Sequence, residues 1–395
     1  MNFRRTLAFI FPPIREVVET RDRLFSELEM ANARISELEK SPKKSPYLIS
    51  AIQSESLNSK QIADVSYSKL LNDFELLHSD LHLEVEENSK LSNELASLQR
   101  EFHKLEEDTA SARLAKSQNR LFITDYAYFP SPRAIEKAAG GIQIEAIFKK
   151  NEVFMRDTLK AIAQHIRTLK LIPRTASAPL APCWENPWFP PFDGAALYGL
   201  IAVNKPSHYI EVGSGISTRF ARQAITDLGL STKIISIDPH PHNPVDGLCD
   251  EIIIERAENM PAEFWNNLKA NDIVFIDNSH RCFPGSDVTV FFTEVMPALP
   301  PGVIYGIHDI FLPFDYPSAW NERFYSEQYL LMTYLLGGFG KDEILLPVYW
   351  LTHQSQLHGI LGELWNEKIL FDGLMTHGGA FWARRGQIAD EIFNS

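Results

Sequence analysis

His208-Tyr-Ile-Glu-Val-Gly-Ser-Gly-Ile-Ser-Thr218 is the run that decides how this chain folds. An apolar stretch ends around Glu211, a Gly-Ser-Gly turn follows, and a helical pattern begins at once. Strand, glycine turn and helix in that order open a doubly wound α/β domain. Gly213 and Gly215 permit φ > 0 and lack a Cβ, so backbone can approach a ligand at the carboxyl end of the strand. Ser217 and Thr218 are placed to cap the helix and leave its free N–H groups facing that ligand. A Gly-x-Gly pair is also found in ordinary tight turns. Three further strands with polar ends set this one apart.

Those strands are Lys233-Ile-Ile-Ser-Ile-Asp238, Asp272-Ile-Val-Phe-Ile-Asp277-Asn-Ser-His280 and Gly302-Val-Ile-Tyr-Gly-Ile-His308-Asp309. Each is almost continuously apolar, as a parallel sheet covered on both faces requires. Asp238 follows Gly213 by 25 residues. An acidic residue at that spacing accepts hydrogen bonds from ribose hydroxyls in nucleoside-cofactor sites, although a turn aspartate before Pro239 is the plainer alternative. Polar groups thus gather where open α/β sheets bind ligands. The third glycine of the dinucleotide fingerprint is absent, position 218 being threonine.

The combination EVGSGxST, IDPHP, DIVFIDNSH, GSDV, IHDIFLPFDYP and EQYLL resembles the class I S-adenosylmethionine-dependent methyltransferases, within them the branch associated with bacterial glycan and surface-polysaccharide assembly. The resemblance covers roughly residues 186–385. It implies a doubly wound, Rossmann-like sheet, parallel with an antiparallel final strand. It also implies that S-adenosylmethionine is bound by Glu211, Gly213, Ser214, Gly215, Ser217, Thr218, Asp238 and Asp277. In related sugar O-methyltransferases an Asp-x-x-His element supplies a metal-binding carboxylate and a catalytic histidine. Carried over, Asp277 is the ligand and His280 the base, and an imidazole titrating near neutrality suits deprotonation of a hydroxyl. His308-Asp309 stands where metal-dependent relatives carry an acidic pair. Asp277, His308 and Asp309 are therefore the expected ligands of a divalent metal. All-oxygen ligation suits Mg²⁺, and an imidazole shifts preference toward Mn²⁺, Fe²⁺ or Zn²⁺. The implied acceptor is a sugar or glycan hydroxyl, with N-methylation left open.

The rest of the chain supplies organisation. A length of 395 residues calls for more than one unit. Residues 14–38 carry apolar side chains at alternating steps of three and four. After a Ser/Pro/Lys-rich linker over 41–59 the pattern resumes from Tyr67 to Leu105, with Asn88 at an a position. Sustained heptads with charged flanks predict a coiled coil over 1–118 that mediates self-association. Residues 119–185 read as a helical, proline-rich linker or lid containing one helix over 152–169, and 186–395 as the catalytic domain. Asp193 and Asp287 are expected to be helix N-caps. Residues 344–351 and 380–383 are expected to form the final antiparallel pair, with Pro347 making the first strand an edge or bulged one.

The net charge of −13 with no basic block argues against nucleic acid or an anionic membrane as partner. Cys183, Cys249 and Cys282 are too widely spaced for a zinc motif and read as free thiols of a cytoplasmic protein. No apolar run reaches the roughly 18–20 residues needed to span a bilayer. Three other readings stay open: a non-catalytic scaffold keeping this fold, a nicotinamide dehydrogenase, and a glycosyltransferase. The missing third glycine weakens the second and the absence of Asp-x-Asp weakens the last.

Overall fold

A computed structural model describes residue 26, residues 60–118 and, apart from 128, 132, 242–244 and 246, residues 127–386. The chain divides into two compact units, 1–128 and 129–395. In the first, α1 (Lys60–Ser117) is one helix of 58 residues. Neither glycine nor proline interrupts it. Leu91, Leu95, Leu98, Phe102, Leu105 and Thr109 are half-buried among mostly exposed neighbours, at the alternating steps of a heptad stripe. The heptads of 14–38, the linker over 41–59 and the Asn88 side chain lie outside the described residues. Among the described residues no helix is long and apolar enough to cross a membrane.

The second unit is built on a seven-stranded sheet. Its strands are β1 (His208–Val212), β2 (Lys233–Ile237), β3 (Glu251–Ile253), β4 (Ile273–Ile276), β5 (Ile304–Ile307), β6 (Glu343–Pro347) and β7 (Phe381–Arg384). They lie in the order β3-β2-β1-β4-β5-β7-β6. β1 to β5 pair in parallel, and β7 runs antiparallel between β5 and β6. β6 is an edge strand with a register shift between Ile344 and Leu346. It stops at Pro347, where the expected strand to 351 gives way to a helix, Val348–Thr352. Proline has no N–H to continue a ladder, so the break falls where the residue dictates. In the core, Phe275 stacks on Trp382 at 5.0 Å. A Cβ on Gly306 would stand 2.4 Å from the Trp382 ring, so β5 accommodates the indole only with glycine there.

Part of the segment expected to be a linker or lid contributes to the core. In α2 (Ala139–Lys150) and α3 (Glu152–Ala163), Ile144, Phe148, Met155, Leu159 and Ile162 are fully buried in the same cluster as the sheet. Spacings of three and four residues put each set on one helical face, and that face is what the sheet covers. The single helix expected over 152–169 breaks after Ala163 and resumes at Ile166. Trp184 packs between Phe220 and Phe371.

Helix α4 (Pro191–Asn204) is buried along nearly its whole length. It starts three residues before the expected boundary, with proline at its first position, where no N–H is required. Asp193 is consequently inside the first turn and is not the cap. Its carboxylate accepts the backbone N–H groups of Gly379 and Ala380 at 2.7 and 2.8 Å, tying the approach to β7 onto α4.

Candidate active site

The glycine turn is dictated by contact with the next strand. Gly213 has φ +77°, and a Cβ there would lie 2.1 Å from the Asp277 carbonyl oxygen. No other residue fits without moving β4. The turn leads into α5 (Ile216–Asp227), whose cap is Gly215 and not Ser217 or Thr218. Thr218 accepts the Gly215 N–H at 3.0 Å and donates its hydroxyl to Glu211. Tyr209 donates to the other Glu211 oxygen at 2.9 Å. Glu211 and Thr218 are completely buried and Ser217 nearly so. Burial pushes the Glu211 carboxyl up to about 7 against the opposing hydroxyl bonds. These three side chains brace the turn from inside the domain.

Beyond the turn opens a cleft of about 300 Å³, lined by Gly213, Asp238, Pro239, Asp277, Asn278 and Asp287 among others. Asp238 accepts the Ser214 N–H and hydroxyl at 3.3 and 3.4 Å, and the His240 N–H at 2.8 Å. Two elements distant in sequence are thereby joined at the mouth of β1 and β2. Asn278 accepts the His280 N–H at 2.9 Å, while its own amide nitrogen is buried without a partner and remains available to a ligand. Ser286 is the cap of the helix Asp287–Val290; Asp287 instead accepts the N–H and hydroxyl of Ser279, at 2.9 and 2.6 Å. That pair fixes the loop after β4.

At the ends of β4 and β5 two imidazoles are set among four carboxylates. His280 Nδ1 lies 2.9 Å from Glu327, and its Nε2 lies 3.4 Å from Asp277 and 3.5 Å from Asp309. His308 Nδ1 lies 3.3 Å from Asp277 and 3.6 Å from Asp309, with Nε2 3.5 Å from Asp193. His280 and Asp309 both adopt left-handed backbone, φ 58° and 56°. That conformation costs a non-glycine residue about 1–2 kcal/mol and is concentrated at functional sites.

Burial alone would depress both imidazoles, and the surrounding carboxylates reverse it. Hydrogen bonds to Asp277 and Glu327, with the charges of Glu327 and Asp309, raise His280 to about 10. Asp277 and Asp309 hold His308 well above its ordinary value. Burial works against the Asp277 charge, yet the His308 and His280 imidazoles keep that carboxyl far below the usual range. Glu327, fully buried, is pushed up by desolvation and only partly restrained by His280.

The carboxylates around His280 favour its protonated form. Asp277, His308 and Asp309 do come together, but as imidazole–carboxylate contacts. Among the described residues no group of three or more His, Cys, Asp or Glu is arranged to hold a metal ion. The sequence reading also missed Glu327 and Asp193. Glu327 opens the helix α6 (Glu327–Leu336). An acidic residue in a first helical turn looks like ordinary dipole compensation. The one available signal was that such a residue is not normally completely buried.

Residues 210–310 match the model of a family described as a methyltransferase domain. No curated protein matches the chain. Among solved structures, the SAH-bound methyltransferase PaMTH1 of Podospora anserina aligns at 16% identity. It covers 67% of this chain and 100% of that one, with a TM-score of 0.32. The matched family segment runs from β1 through the end of β5 and contains the glycine turn, Asp238, Asp277, His280, His308 and Asp309. Residues 210–310 carry a methyltransferase domain.

Proposed function

We propose that the enzyme methylates a hydroxyl group of a sugar or glycan, with the methyl donor in the Gly213–Asp238 cleft. The observation that carries this reading is adjacency: Asp277 and Asn278 belong to the cleft lining while Asp277 also contacts His280 and His308. A donor in the cleft would bring its sulfonium close to a set of proton-binding groups, and positioning two reactants is most of what methyl transfer needs. In this reading Asp238 receives the ribose hydroxyls, Gly213, Ser214 and Gly215 line the donor with backbone, and Asn278 offers its amide. His280, through its Nε2–H, orients the acceptor hydroxyl, whose oxygen attacks the methyl as its proton leaves. Asp309, 3.5 Å from that Nε2 and partly exposed, receives the departing proton. The methyl–sulfur bond breaks as the oxygen–methyl bond forms, leaving S-adenosylhomocysteine. None of Cys183, Cys249 and Cys282 forms a disulfide, which fits a reducing compartment. The heptad stripe of α1 supports self-association.

Incubation with methyl-labelled S-adenosylmethionine and a panel of neutral and acidic oligosaccharides tests the acceptor class. Label should appear in saccharide as a base-stable ether. Label confined to amine acceptors would refute the hydroxyl reading.

A further inference from the structure

The loop that precedes α6 holds a second charged feature which the methyl-transfer chemistry leaves unused. Arg323 lies over the Trp320 ring at 4.2 Å and within 5.6 Å of the Tyr325 ring. Arg281, next to His280, lies 5.2 Å from the Tyr325 ring and donates to the carbonyl oxygens of Arg323 and Ser279 at 2.8 and 3.1 Å. Rings and carbonyls hold both guanidinium groups, and among the described residues neither forms an ion pair with a carboxylate. An aromatic face fixes a guanidinium in place without neutralising it. In a chain of net charge −13, two fixed and uncompensated cations side by side are unusual.

Their location gives the feature a purpose. The Tyr325 ring lies 4.6 Å from the His280 ring, so the arginine pair adjoins the reacting groups. Both arginines and Tyr325 are half-buried, which lowers the local dielectric and strengthens any charged hydrogen bond made there. Guanidinium forks match carboxylate and phosphate oxygens in geometry. We propose that Arg281 and Arg323 form an anion subsite for the methyl acceptor, so that the acceptor is a sugar bearing a carboxylate or phosphate. This rests on the methyl-transfer reading above. The competing account is that the arginines only offset the charge of nearby Glu327 and Asp309, with no ligand involved.

The full chain, saturated with S-adenosylhomocysteine, is titrated with glucuronate, glucose 1-phosphate and glucose, and binding is followed by calorimetry. At least one anion should bind roughly tenfold tighter than glucose, about 1.4 kcal/mol. Preference for one over the other identifies carboxylate or phosphate as the recognised group. Arg323→Gln should remove that preference and leave affinity for glucose and S-adenosylhomocysteine unchanged; Arg281→Gln should do the same. The Arg323 guanidinium makes only ring contacts, so its variant decides the matter if Arg281→Gln fails to fold. Equal binding of all three sugars, undetectable binding of both anions at millimolar concentration, or a preference that survives Arg323→Gln would overturn the subsite. Lower thermal stability with unchanged anion preference would establish the offset account instead. Failure of the wild type to bind S-adenosylhomocysteine would bring down the transfer reading as well, which separates the two failures.

Discussion

The cleft at Gly213 and the imidazole–carboxylate cluster share Asp277 but are built on opposite plans. Backbone makes the cleft: a glycine forced by the Asp277 carbonyl, a turn braced from within by Glu211, and a half-exposed Asp238 bonded only to local N–H and hydroxyl groups. Side-chain charge makes the cluster, buried and drawn from α4, the ends of β4 and β5, and α6. A site of the first kind has its shape before a ligand arrives. A site of the second kind has its protonation states set by neighbours, and removing one neighbour changes all of them.

That contrast can be broken at its most demanding point by Asp193→Ala. The change leaves two buried N–H groups without acceptors and takes away a carboxylate facing His308. Breaking a buried pair in this way costs about 3–5 kcal/mol. Denaturant unfolding should show a loss of that size, and a loss below about 1 kcal/mol would mean the cluster is not the buried network described.

A smaller effect is expected from pH. The folded-state value of His280 is raised from 6.5 to about 10, so its contacts stabilise the protein fully below pH 6.5. That stabilisation is lost as pH rises through about 10. His280→Gln should flatten the alkaline limb of a stability–pH profile. A limb identical to that of the parent would show that His280 is neutral in the folded protein.

The smallest effect on ligand binding is expected from the amino-terminal unit. A chain beginning at residue 127 should bind S-adenosylhomocysteine as the full chain does while losing self-association. Sedimentation equilibrium showing the full chain to be monomeric at micromolar concentration would contradict the coiled-coil reading.

The same contrast explains what the sequence made legible. Continuous apolar strands ending in Glu211, Asp238, Asp277 and His308-Asp309 are local patterns, and the sheet follows them closely. The edge position and irregular register of β6 were readable from Pro347 alone. Misreadings arose where a residue's role depends on chain far away. Asp193 looks like a cap until Gly379 and Ala380 are brought to it. Glu327 looks like a helix-dipole residue until His280 arrives from 47 positions earlier. The three carboxylates around His280 come from separate elements, and only three-dimensional neighbours reveal them. Within the segment 119–185, read as linker or lid, the apolar faces of residues 139–172 contribute to the core.

In the proposed arrangement the donor occupies the backbone-built cleft and the charged cluster acts on the acceptor. Calorimetric titration of S-adenosylhomocysteine into the parent, Asp238→Ala and His280→Gln tests it directly. Each charged hydrogen bond to a ribose hydroxyl is worth about 1.5–3 kcal/mol. Asp238→Ala should therefore weaken binding at least roughly tenfold, whereas His280→Gln should bind like the parent. Parent-like affinity in Asp238→Ala, or loss of affinity in His280→Gln alone, would place the donor elsewhere and contradict the account.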